Sequence, residues 1–389
     1  MLHGSFRAKL DAPGPKKLLA IEGGGLRGTI AIEFLAKIES ELREALQAPD
    51  DFVLADYFDY VAGTSTGAIL ASALALGLSA TALRELFEKH GAQMFETARL
   101  RDRLKYRYSA DQLKHILQER MGADTELGSE RLRTLLLLVM RNATTDSPWP
   151  LTNNPRAKYN DESLPDCNLR LPLWQLVRAS TAAPAFFPPE EIVIGAQRFI
   201  FADGAVTTYN NPAFLLFLMA TLEPYGLCWP ASEEELLLVS VGTGVVTAAD
   251  EKLRPAQMNL IYHAESVPAA LIAAATNEQD MLCRVFGAAQ AGAPLDSEIG
   301  DLIGTRGPTP KKLFTYARYN VDLSEHGLAD LGLSHIAAAH VRGLDSVGHV
   351  PALAEVGARA AERYVSAAHF AGFLGGLARP DELERPVAL

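Results

Sequence analysis

Two glycine turns about forty residues apart constrain this chain more than any other feature. The first lies in "LLAIEGGGLRGTIAIEFL", residues 18 to 35, between a short apolar run and a helical pattern. The second, "GTSTG" at 63 to 67, follows a strand-like run at Tyr60 to Ala62 and opens a small-residue helix from Thr66 to about Leu76. Short apolar strands of this kind are buried on both faces. Each is followed by a helix, and strand–turn–helix twice over predicts an α/β fold with a mainly parallel sheet.

The remaining pattern extends that beginning. Thr29 to Leu46 reads as a helix with Ile30, Phe34, Ile38 and Leu42 on one face. A helical piece follows Ser79 to about His90, and another runs from Asp111 to Arg120, stopped by Gly122. Thr134 to Met140 is strand-like, whereas residues 144 to 170 are rich in Thr, Asp, Pro and Asn and predict a long loop. "LWQLVRAS" is helical, a hairpin ends at Asp203, "NNPAFLLFLMATL" restarts a helix, and "LLLVSVGTG" is a buried strand closed by a glycine turn. From about Pro255 onward the pattern is mostly helical apart from one strand-like segment, "KLFTYARYNVDL", with an exposed loop expected at 293 to 310.

Composition narrows the function. A chain of 389 residues with 48% hydrophobic and 21% charged residues has ample material for a core, and a net charge of −11 gives no footprint for DNA or long RNA. Cys167, Cys228 and Cys283 are scattered, with neither disulfide nor zinc spacing, which fits a reducing, cytoplasmic home and no metal. The N-terminus lacks the apolar core of a signal peptide. Val61 to Leu83 carries no charge, but its glycines, serines and threonines favour a closely packed buried helix over a membrane span.

Gly23, Gly25 and Gly28 form G-x-G-x-x-G, the spacing of a dinucleotide-binding turn. That use wants an acidic residue closing the second strand, and Asp50 and Asp51 precede the strand instead. A glycine run aimed at a helix N-terminus equally builds an oxyanion hole, because successive backbone N–H groups converge on one place, and Arg27 stands near enough to reinforce it. "GTSTG" is a G-x-S-x-G between strand and helix, a strained turn that presents the Ser65 hydroxyl. Its base could be a late histidine (His263, His326, His335, His340, His349 or His369) or a carboxylate, for which Asp203 in "FADGAV" stands at a strand end. The residues alone leave these alternatives open.

In the order "GGGLRG", "GTSTG", "DGA", the three motifs resemble the patatin-like phospholipase family, and "STAAPAFFPP", "NNP" and "VGTG" resemble its further elements. The resemblance covers roughly residues 16 to 245. It implies a three-layer α/β/α fold with a mainly parallel central sheet, Ser65 as nucleophile between Gly63 and Gly67, and Asp203 as its sole base. It also implies an oxyanion hole from Gly24 and Gly25, with Gly23, Arg27 and Gly28 beside them, and it implies no cofactor. One departure is visible: many members have Asp before the glycine run, and this chain has Glu22.

The expected organisation is a flexible segment at 1 to 15, the catalytic domain at 16 to 245, and a mostly helical C-terminal extension at 246 to 389 packed on it. The expected substrate is membrane phospholipid, met peripherally at the inner face of the membrane. The helical extension is similar to that of bacterial patatin-like enzymes, some of which act in anti-phage defence when a cyclic di- or trinucleotide switches them on; it could also form a homo-oligomer. A constitutive lipid esterase and a non-catalytic lipid- or nucleotide-binding protein are the competing readings. Arg99, Arg101, Arg103, Lys105 and Arg107, followed by Tyr108, form a basic cluster suited to lipid phosphates or an anionic regulator, or a solvated face.

Overall fold

A single mixed sheet organises the computed structural model, which describes residues 5–94, 106–245, 254 and 258–375. Its strands are β1 (Lys16–Ile21), β2 (Tyr60–Thr64), β3 (Leu135–Asn142), β4 (Ser147–Thr152), β5 (Glu190–Ile194), β6 (Gln197–Asp203), β7 (Leu236–Val241), β8 (Ala288–Ala291) and β9 (Thr315–Tyr319). The order is β5-β6-β3-β2-β1-β7-β9-β8, with β4 also on β3; the stretch from β3 to β8 is parallel throughout. The central strands β2 and β7 are buried along their whole length because helices cover both faces.

The longer helices are α1 (Gly28–Ala45), α2 (Thr66–Ala75), α3 (Ala80–Met94), α4 (Asp111–Met121), α5 (Leu173–Ser180), α6 (Ala213–Thr221), α7 (Leu260–Phe286) and α8 (Val350–Tyr364). α2 packs against β1, β2 and β3, and α6 against β1, β2 and β7. Every residue of α2 is buried, and the charge-free stretch from Val61 to Leu83 divides into the rest of β2, this internal helix and the start of α3. Among the described residues no helix is long and apolar enough to cross a membrane.

Register brings the site together. β2 pairs with β3 over Leu135 to Val139, and β4 pairs with β3 over Leu137 to Asn142, so these two occupy opposite edges of β3. β6 pairs over Met140 to Asn142, which β4 already covers from the other side. β6 therefore lies on the same edge as β2 and, running antiparallel, descends towards it. Thr64 stands opposite Val139 and Asp203 opposite Met140, so the two strands end head to head.

Several expectations are corrected. The loop predicted at 144 to 170 begins with β4, whose Pro148 and Pro150 disguised it; a strand with missing donors is tolerated at an edge. β8 was hidden by its composition, Ala-Ala-Gln-Ala, which has no strand signature. With β9 it continues the sheet past β7, and α8 packs on α1. Within residues 5–15, Phe6 and Lys9 make contacts with the rest of the chain. The apolar Phe6 ring is fully buried, and Lys9 Nζ donates to the carbonyls of Ala55 and Phe58.

Candidate active site

Ser65 sits at the head of α2 with φ +56° and ψ −126°, a conformation strained for any residue but glycine. The close crossing of strand and helix explains its flanks: a Cβ on Gly67 would run into the Ile21 carbonyl, and one on Gly63 into that of Gly67. The Ser65 N–H donates to Ser180 Oγ at 2.9 Å, and Ser180 donates in turn to the Val139 carbonyl at 2.6 Å. The end of α5 thus pins the turn to β3.

Ser65 Oγ donates to Asp203 Oδ2 at 2.7 Å. Asp203 is 1% exposed, and its other oxygen accepts the Ala205 N–H at 2.8 Å. Gly204 is required here because the chain crosses the end of β3, where a Cβ would strike the Val139 carbonyl. Burial pushes the Asp203 carboxyl up to about 6, against the opposing pull of the Ser65 and Ala205 hydrogen bonds and the positive charge of Arg178. Arg178 is itself buried, donates to the Pro188 carbonyl at 2.7 Å, and has its pKa lowered by desolvation.

The glycine loop lies beside the serine: a Cβ on Gly23 would fall 2.9 Å from that of Ser65. The Gly23 N–H is taken by the Asn210 carbonyl at 3.2 Å, and that of Gly28 by carbonyls within the turn. The N–H groups of Gly24 and Gly25 have no acceptor among the described residues. Arg27 Nη1 donates to the Gly244 carbonyl at 3.4 Å, and Arg27 bonds to neither Ser65 nor Asp203. Behind the loop, Glu22 accepts the Thr243 N–H at 2.9 Å and pairs with Arg318. On its far side, the Leu344 carbonyl accepts the Leu26 N–H at 2.8 Å.

Of the candidate histidines, none bonds to Ser65 or Asp203. His335 faces Glu355, His326 faces Asp330, His340 stacks on His349, and His369 meets the Tyr319 hydroxyl; His263 meets the Tyr262 ring edge-on. In the basic cluster, Arg99, Arg101, Arg103 and Lys105 lie outside the described residues. Arg107 pairs with Asp345 at 2.6 Å, where the Tyr108 hydroxyl also donates. Ser180, Arg178, Asn210 and Arg318 carry no motif that marks them singly. Arg178 and Ser180 fall inside the quoted "LWQLVRAS", Asn210 inside "NNP" and Arg318 inside "KLFTYARYNVDL", which signalled the neighbourhood without the role.

A family model described as patatin-like phospholipase matches residues 19–217, just over half of the chain. Patatin-17 of Solanum cardiophyllum is 28% identical over 251 residues, 60% of this chain and 62% of that protein. An intracellular phospholipase A2 of Caenorhabditis elegans is 32% identical over 255 residues, 63% of this chain and 21% of that protein. A cGAMP-activated phospholipase of Vibrio cholerae is 30% identical over 210 residues, 51% of this chain and 56% of that protein. The chain thus covers less than two thirds of the length of each.

Proposed function

We propose that this chain, which belongs to the patatin-like phospholipase family, is a serine acyl hydrolase that cleaves the ester bonds of membrane phospholipids with Ser65 and Asp203. The observation that carries the reading is the 2.7 Å hydrogen bond from Ser65 Oγ to a buried carboxylate. Asp203 takes the hydroxyl proton as Oγ attacks the ester carbonyl. The N–H groups of Gly24 and Gly25 receive the oxyanion, since those of Gly23 and Gly28 are engaged. As the tetrahedral intermediate collapses, the protonated Asp203 gives its proton to the departing lysolipid alkoxide. Water, deprotonated by the same carboxylate, then attacks the acyl-enzyme, and Ser65 leaves as a hydroxyl with the returned proton.

The test is fatty-acid release from phospholipid vesicles together with fluorophosphonate labelling, for wild type and Ser65→Ala. Wild type should show both and the variant neither. Release or labelling that survives in Ser65→Ala would overturn the dyad.

A second reading adds a switch. The Vibrio cholerae relative is named for activation by cGAMP, and an acyl hydrolase acting at the inner face of its own cell's membrane needs restraint. Adding a panel of cyclic di- and trinucleotides to the same assay decides it. Release that depends on one of them supports a regulated role in antiviral defence; release indifferent to all of them marks a constitutive enzyme.

A further inference from the structure

The N-terminal half of α7 contains an exposed apolar turn. From Val267 to Ala275 it reads "VPAALIAAA", without one polar side chain, and Val267 to Leu271 are all exposed, as are Ala273 and Ala274. Leu271 is 64% exposed. Five consecutive exposed positions, about 100° apart, go more than once around the helix, so this turn shows apolar surface on every side, with Ile272 half-buried next to it. Surface helices ordinarily bury their apolar stripe and show water a polar one. The other end of the same helix is packed into the protein, with Asp280, Cys283 and Arg284 buried.

This uncovered turn stands at the rim of the site. Just past it, Thr276 Oγ1 accepts from Asn210 Nδ2 at 3.2 Å, and the Asn210 carbonyl holds the Gly23 N–H. The turn after Asp203, Gly204–Val206, packs on α7 and exposes Val206. Across the glycine loop, Leu344 is exposed as well. Apolar side chains therefore flank the mouth of the Ser65 site on both sides.

We propose that residues 267–274 of α7 dock this enzyme on its substrate by entering the headgroup–acyl boundary of a zwitterionic phospholipid bilayer, setting the Ser65 mouth on the lipid. The proposal rests on the acyl-hydrolase reading for its choice of occupant: the apolar turn is continuous with the mouth that would receive the lipid. It also follows from charge. The turn carries no basic residue and the chain has a net charge of −11, so attachment comes from apolar burial and not from attraction to anionic headgroups.

The test uses the full chain, phosphatidylcholine vesicles and the soluble ester p-nitrophenyl butyrate. Wild type should float with the vesicles equally at low and high salt. Val267→Glu/Leu271→Glu should lose flotation and at least about tenfold of vesicle hydrolysis while p-nitrophenyl butyrate turnover is unchanged. Undiminished flotation and vesicle hydrolysis in that variant would overturn the proposal. So would a dimer-to-monomer change in sedimentation with vesicle hydrolysis intact, which would make the turn an interface between two copies. In Leu271→Trp, tryptophan emission should shift to the blue when vesicles are added, and an unshifted spectrum counts against docking whatever the activity. If wild type hydrolyses neither ester, the acyl-hydrolase reading fails, and flotation and emission still decide the docking.

Discussion

Glu22 and Arg318 form a buried ion pair directly behind the glycine loop, Oε2 to Nη2 at 2.6 Å. Arg318 also donates to Ser240 Oγ at 2.9 Å and lies 3.9 Å from Asp280, which is held in turn by Arg284 and by the Tyr316 hydroxyl. The loop carrying Gly24 and Gly25 thus starts from a carboxylate fixed by β9, a strand well beyond the family-matched residues 19–217.

Removing one member of a buried pair leaves the other charged and unpaired, which costs about 3–5 kcal/mol. Arg318→Met should therefore lower unfolding free energy by that amount in urea, and Glu22→Gln in the same chain should recover part of it. A single-variant cost below about 1 kcal/mol would show that the pair does not hold the loop.

The Asp203 carboxyl, raised to about 6 by burial, is a usable base only when ionised. kcat/KM for a soluble ester should rise as pH increases through about 6 and then level off. A profile flat from pH 4 to pH 8 would exclude Asp203 as the titrating base.

The same burial has a cost in stability, and its sign is fixed. The folded-state value lies above the ordinary 3.8, so the folded protein holds the proton more tightly, and the associated stability is present at low pH and lost as pH rises through about 6. Asp203→Asn removes the buried charge. It should raise unfolding free energy by roughly 2–3 kcal/mol at pH 8 and by nearly nothing at pH 4, while abolishing hydrolysis. Denaturant titrations of both proteins at the two pH values measure it.

Much of this site was legible because its parts are local. Ser65 and Asp203 announce themselves through glycines that the chain's close crossings require, and Gly67 and Gly204 are those crossings. The ends of β1, β2 and β7 could be read from short apolar runs closed by glycine turns. What was not legible depends on distance in sequence or on weak composition. Nothing near Arg318 says that it reaches Glu22, and nothing in Leu344 says that its carbonyl closes the glycine loop. β4 hid behind two prolines, and β8 behind alanines. Nor does anything near Arg107, the described member of the basic cluster, say that its counter-ion is Asp345, far along the chain.

Ser180 tests how far the strained turn depends on its support. Its hydroxyl accepts from the Ser65 N–H and donates to the Val139 carbonyl, so Ser180→Ala leaves two backbone groups without partners beside the nucleophile. The loss should cost about 1–3 kcal/mol of stability. Ser65 at φ +56° would then be free to relax away from Asp203, with kcat falling by about tenfold to a hundredfold and KM nearly constant. Kinetics on a soluble ester alongside urea unfolding separate the two roles. If stability falls while kcat is unchanged, Ser180 serves the fold alone; a fall in kcat at constant KM makes it a positioning residue for the attack.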